Sequence, residues 1–152
     1  MSDRSELDRA IVSAYRTVSK GLDRSVLPVL VERGITMAQL KALMAVTGAD
    51  DNGLTVTALG TALAIGQPSA SLLVEQLVRQ GLVTRTTDQA DRRRAIVSAS
   101  PEGEELADEL RLGRRATFAE WLGRLSDADA QELARALAAL ARATGAGADT
   151  SA

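Results

Sequence analysis

The 152-residue sequence predicts a mainly α-helical domain carrying one small β-hairpin. Three observations lead there. Apolar residues recur at three- and four-residue spacing over most of the chain, the period of amphipathic helices. Two short β-prone runs, residues 81–87 and 95–98, flank the basic segment Asp91-Arg92-Arg93-Arg94. A compact helical pattern at residues 66–80 comes immediately before the first run. Helix, strand, basic turn, strand is the order of a winged helix-turn-helix. In that fold a helix fills a major groove and a cationic hairpin tip reaches a neighbouring minor groove.

Each element has its own signals. Over residues 6–31, Leu7, Ile11, Ala14, Val18, Leu22, Val26 and Val29 form one stripe, and Pro28 is expected to kink or end the helix near Leu27. After Gly34, Thr36 caps a second helix, with Gln39 completing a capping box and Met37, Leu40, Leu43, Met44 and Val46 on its apolar positions. That helix stops near Gly48, and residues 50–53 form a turn cluster. Leu54-Thr55 leads into a short third helix at 56–64 with Leu59 and Leu63 inward. Ile65-Gly66 turns the chain into the fourth helix, where Pro68 sits in the first turn and a missing N–H is harmless. Leu72, Leu73, Leu77 and Val78 are expected to cover its buried side before Gly81 ends it. Ser100-Pro101-Glu102 then restarts the chain as a long helix to about Leu125, carrying Leu106, Leu110, Phe118, Trp121 and Leu122. Ser126-Asp127 caps a last helix striped by Leu133, Leu137 and Leu140, and residues 146–152 read as a flexible tail.

Composition narrows the chemistry. With 45% hydrophobic residues the chain can bury a real core, and with Tyr15, Phe118 and Trp121 as its only aromatics that core is mainly aliphatic. There is no Cys and no His. Disulfides, thiolate or imidazole metal sites and Ser-His-Asp triads are therefore excluded, and neither metal nor cofactor is expected. No apolar run reaches the length of a membrane span and the first residues lack a secretory pattern, so a cytoplasmic protein without a membrane partner is expected. The formal net charge of -2 argues mildly against nucleic acid, but the charges are segregated. Acids crowd 102–109 and 127–132, whereas Arg79, Arg85, Arg92, Arg93 and Arg94 gather around the hairpin. The carboxylate pairs Glu104/Glu105 and Asp127/Asp129 stand at helix beginnings, where the helix dipole and solvent explain them without catalysis.

The ordered combination of motifs resembles the MarR family of multiple-antibiotic-resistance-type regulators over nearly the whole chain. Leu54-Thr55, Leu59 and Leu63 match its first helix-turn-helix element. Leu77 followed by Gly81-Leu82-Val83 and Arg85 matches its helix end and first wing strand. Residues 91–98 followed by Ser100-Pro101-Glu102-Gly103 match its wing and helix restart. Two positions depart: Leu72 stands where the family often has a polar or basic residue, and Gly66 where a hydroxyl cap is usual. The resemblance implies one domain with dimerisation helices at 1–33 and 101–145 around a winged helix-turn-helix at 36–100. It also implies a small-molecule pocket between them, and with His and Cys absent the effector is organic or there is none.

On this reading the protein is a DNA-binding transcriptional regulator, a repressor, working as a homodimer on a palindromic operator of double-stranded DNA. The terminal stripes exceed what one winged domain buries, and two-fold symmetry would set the recognition helices about 34–36 Å apart. Gln67, Ser69, Ser71 and Gln76 are the polar side chains on the recognition helix available to bases or phosphates, although Ser69 and Ser71 could merely solvate or cap it. Arg92, Arg93 and Arg94 would supply minor-groove or phosphate contacts, with Arg93 the first choice by resemblance, against an ordinary solvated turn. Asp91 and Arg85 would support the wing. Thr55 and Thr57 can bond phosphate, and capping explains Thr55 equally well. The competing reading is a winged-helix interaction or dimerisation module that reads no DNA.

Overall fold

A computed structural model describes residues 2–49, 53–87 and 94–144, with the side chains of Ser2 and Asp3 outside that set. Its elements, in chain order, are α1 (Ser2–Ser25), α2 (Leu27–Arg33), α3 (Met37–Thr47), β1 (Leu54–Thr55), α4 (Val56–Leu63), α5 (Gln67–Arg79), β2 (Val83–Thr87), β3 (Ala95–Ala99), α6 (Pro101–Leu122) and α7 (Asp127–Ala143). Two compact units divide at Arg114/Arg115, within α6. No single described helix is long and apolar enough to cross a membrane.

The first unit holds the aliphatic core. Leu43 of α3, Leu59 of α4, Val74 and Leu77 of α5, Val97 of β3 and Leu110 of α6 are all fully buried. Val26 joins them from the break between α1 and α2. That break lies just ahead of the expected one near Leu27: α1 ends at Ser25, and Pro28 serves the first turn of α2, where its missing N–H costs nothing. The α3 capping box forms as the sequence predicts. Thr36 Oγ1 accepts from the Gln39 N–H at 3.2 Å, and Gln39 Oε1 accepts from the Thr36 N–H at 2.7 Å.

The hairpin expectation needs one addition. β2 and β3 pair antiparallel, Val83 opposite Ala99 through Thr87 opposite Ala95. Leu54-Thr55 also pairs, with Val97 and Ile96, making a three-stranded sheet in the order β1-β3-β2. Two residues are too few to show alternation, so periodicity could not reveal this strand. A second correction concerns α5. Its buried face is Ala70, Val74 and Leu77, whereas Leu72 is 51% and Val78 40% exposed. Four apolar residues expected on one side thus split, because the buried face is centred on Ala70, Val74 and Leu77.

The junction between α5, β2 and α6 is held by one side chain. Gly81, at φ +73, turns the chain out of α5, and the Leu82 N–H caps back onto the Leu77 carbonyl at 3.0 Å. Buried Ser100 then donates its hydroxyl to the Gly81 carbonyl at 2.5 Å and accepts the Gly103 N–H at 3.0 Å. Its own N–H reaches the Leu82 carbonyl at 3.1 Å. Gly103 is demanded by this closeness, since a Cβ there would stand 1.9 Å from the Leu82 oxygen.

In the second unit, Ser126 caps α7 by accepting the Asp129 N–H at 3.2 Å and donating to Asp129 Oδ2 at 2.6 Å. Asp129 is thereby engaged in the cap. α7 contains no buried residue: Leu133 is half-buried, and Leu137 and Leu140 are exposed. Phe118 and Trp121 are half-buried.

Ser100→Ala is expected to cost about 2 kcal/mol, from the missing cap and the stranded Gly81 carbonyl. Gly103→Ala is expected to cost more, because backbone must move to admit the methyl group. Urea unfolding followed by circular dichroism measures both, and a midpoint unchanged in Gly103→Ala would contradict the packing described.

Candidate nucleic-acid interface

α4 and α5 form the helix-turn-helix, and the turn between them is shaped by Ala64. Ala64 adopts the left-handed conformation at φ 53, and the Ile65 N–H caps back to the Gly60 carbonyl at 2.9 Å. α5 then starts at Gln67 with Gly66 as its cap residue, which offers no side chain to the first turn. Pro68 has no N–H, and the Gln67 and Ser69 amides stand in the first turn, where a helix supplies no carbonyl partner of its own.

Beside this helix start lies a groove of about 510 Å³. Thr55, Thr57 and Thr61 line it from the β1–α4 side, Gln67 and Ser71 from α5, and Arg85 and Arg94 from the sheet. Among the described residues none that lines it is acidic, and neither arginine has a carboxylate partner. Among the described residues, a protein of net charge -2 thus presents a groove whose formal charges are two guanidinium groups. Such a groove suits an anionic, hydrogen-bonding polymer.

The residues singled out by the sequence fall into three groups. Gln67 and Ser69 are exposed at the start of α5, and Ser71 is half-buried where α5 meets the groove. Arg85, expected only to support the wing, is exposed and lines the groove together with Arg94. Thr55 accepts the Ala58 N–H at 3.1 Å, so it caps α4 while still lining the groove. Gln76 is turned inward instead: half-buried, it accepts a hydrogen bond of 3.0 Å from Gln39 Nε2 and ties α5 to α3. Asp91, Arg92 and Arg93 lie outside the described residues. Thr61 joins the groove without having been expected there, because its position depends on the angle between α4 and α5, for which a sequence carries no local signal.

Residues 33–94 match the family model described as MarR family. Residues 33–94 are a MarR-family winged helix-turn-helix. Across its length the chain is 24% identical to the HTH-type transcriptional repressor MdtR of Bacillus subtilis, covering 94% of this chain and 91% of that protein. Its fold is similar to that of a MarR family protein from Bacillus stearothermophilus, with TM-score 0.76, 23% identity, and 95% and 99% of the two chains covered. It is also similar to the MepR chain in a Staphylococcus aureus MepR–DNA complex, with TM-score 0.65, 21% identity, and 87% and 96% covered.

The first unit has a further cavity, about 480 Å³ in volume, bounded by α1, α3, α4 and α6. Met37, Leu40, Met44, Leu63 and Leu110 supply apolar walls, and Lys41 stands at its edge. The ion pair between Arg114 Nη1 and Asp23 Oδ1, 3.0 Å apart, lines it as well. This cavity is mostly hydrocarbon with a few polar groups, the usual character of a small-molecule site.

Gln76→Ala is expected to destabilise the protein by about 1 kcal/mol, since it leaves the buried Gln39 amide without an acceptor. Thermal melting reads this directly, and an unaltered melting temperature would contradict the α3–α5 tie.

Proposed function

We propose that the chain is a sequence-specific DNA-binding transcriptional regulator, acting as a repressor from a homodimer on a palindromic operator. The observation that carries the reading is the groove of Thr55, Gln67, Ser71, Arg85 and Arg94 beside the start of α5, whose described lining includes two arginines and no acid. Gln67 and Ser69 would meet base edges as α5 enters a major groove, and Thr55, Thr57, Arg85 and Arg94 would hold flanking phosphates. Arg92 and Arg93, with Asp91 as their local support, would extend those contacts into a minor groove. The DNA named in the MepR complex and the repressor named in the MdtR match support the same assignment by likeness. This is a binding protein rather than an enzyme, and its place is the cytoplasm.

The dimer reading rests on apolar surface. Leu7, Ile11, Tyr15 and Val18 of α1 are exposed, as are Leu137 and Leu140 of α7. A second copy covering these stripes would put 1–33 and 101–145 in the dimer interface and the two α5 helices one DNA turn apart. The cavity of Met37, Leu40, Met44, Leu63 and Leu110 would take an organic effector. Because α1, α3, α4 and α6 all border it, a ligand favouring one arrangement of these helices would shift the DNA-binding equilibrium.

Gel-shift titration against the promoter region beside the chain's own gene is expected to show salt-sensitive binding. Light scattering should give a mass twice the 16.0 kDa of the chain. Replacing Arg85 and Arg94 by Ala is expected to weaken binding to every duplex and to reduce the log–log salt slope by about 1 for each phosphate no longer neutralised. Gln67→Ala is expected to alter sequence preference more than salt dependence. Absence of binding to any duplex at low salt would overturn the proposal.

A further inference from the structure

The outward face of α5 carries a residue that the polar groove does not use. At 3.6 residues per turn, the side opposite buried Ala70, Val74 and Leu77 is formed by Pro68, Leu72, Glu75 and Arg79, and all four are exposed. Leu72 lies at the middle of that ridge, 51% exposed, with Ser69, Ser71 and Glu75 around it. No described contact of the fold needs a leucine there, and α5 already has its core face. A single exposed leucine is common on protein surfaces, so exposure alone decides nothing. Its position does: the middle of the outward ridge is the part of a groove-filling helix that approaches the base edges.

We infer that Leu72 reads the 5-methyl group of a thymine in the major groove. The inference rests on the DNA-binding reading given above. A leucine has no donor or acceptor, so among the major-groove edges the only group it can favour is the thymine methyl. Arg79 on the same ridge, and Arg85 and Arg94 in the groove along α5, supply the complementarity to the phosphates that brings the ridge into place. Glu75, one turn further on, repels phosphate and therefore also suits the groove floor rather than the backbone. The consequence is a division of labour along α5: Gln67 and Ser69 read by hydrogen bonding, and Leu72 reads by excluding water from a methyl group. Discrimination of thymine from cytosine at that base pair then comes from apolar contact.

Deoxyuridine tests this at the level of one methyl group, since it differs from thymidine only by lacking it. Duplexes are first selected from a random library by the full-length protein. Each thymine of the selected sequence is then replaced singly by deoxyuridine, and affinities are measured by fluorescence anisotropy for the native protein and for Leu72→Ala. The expected result is one thymine per half-site whose replacement weakens the native protein about fourfold, the worth of burying one methyl group. Leu72→Ala should bind the thymine duplex correspondingly less well and should no longer distinguish thymine from uracil there. Leu72 is on the surface, so the variant is expected to keep the native melting temperature. Tight binding by the native protein with no sensitive thymine overturns the inference while leaving the DNA-binding reading intact. So does a Leu72→Ala protein that retains the full thymine preference. Failure to select any duplex overturns both readings together.

Discussion

The buried hydroxyl of Ser100 governs how the end of α5, the start of β2 and the start of α6 meet. It spans the Gly81 carbonyl and the Gly103 amide, while the Ser100 N–H holds the Leu82 carbonyl. Three element ends that would otherwise expose unpaired backbone groups satisfy one another through a single residue. The arrangement works only because two neighbours lack side chains: Gly81 turns left-handed, and Gly103 lets α6 approach the Leu82 oxygen. Gln67 and Ser71 ride on α5, whereas Arg85 rides on β2. The relative placement of helix and sheet donors therefore depends on this junction.

Electrostatics follow the same local logic. The chain has more acids than bases, yet no described carboxylate lines the groove. Glu102 and Glu104 stand in the first turn of α6, and Asp127 and Asp129 in that of α7. Asp23 pairs with Arg114 and Glu109 with Arg33. These exposed or partly exposed pairs add little stability. Net charge accordingly misleads about partners, and the segregation of charge along the sequence is the better guide.

Much of the architecture is legible in the sequence. Thr36 with Gln39, Ser126 with Asp129, and Ser100 with Pro101 announce helix starts by chemistry acting over three or four residues, and each cap forms. The departures are of another kind. Leu72 and Val78 belong to an apolar set that periodicity alone assigns to the core, but α5 buries Ala70, Val74 and Leu77 instead. β1 is too short to have a period, and it exists only because β3 is present to pair with it. Gln76 reads as a free polar group on α5, yet Gln39, 37 residues earlier, claims it.

What the sequence by itself determined is therefore the set of elements, their order, their caps and the kind of fold they build. Those depend on interactions between residues a few positions apart. The tertiary structure alone decided which face of α5 is buried, that Thr55, Gln67, Ser71, Arg85 and Arg94 share one groove, and that Leu72 is left on the outward ridge. These outcomes depend on the angles at which separate elements pack. Such angles arise from how many distant side chains fit together at once, which no local pattern encodes.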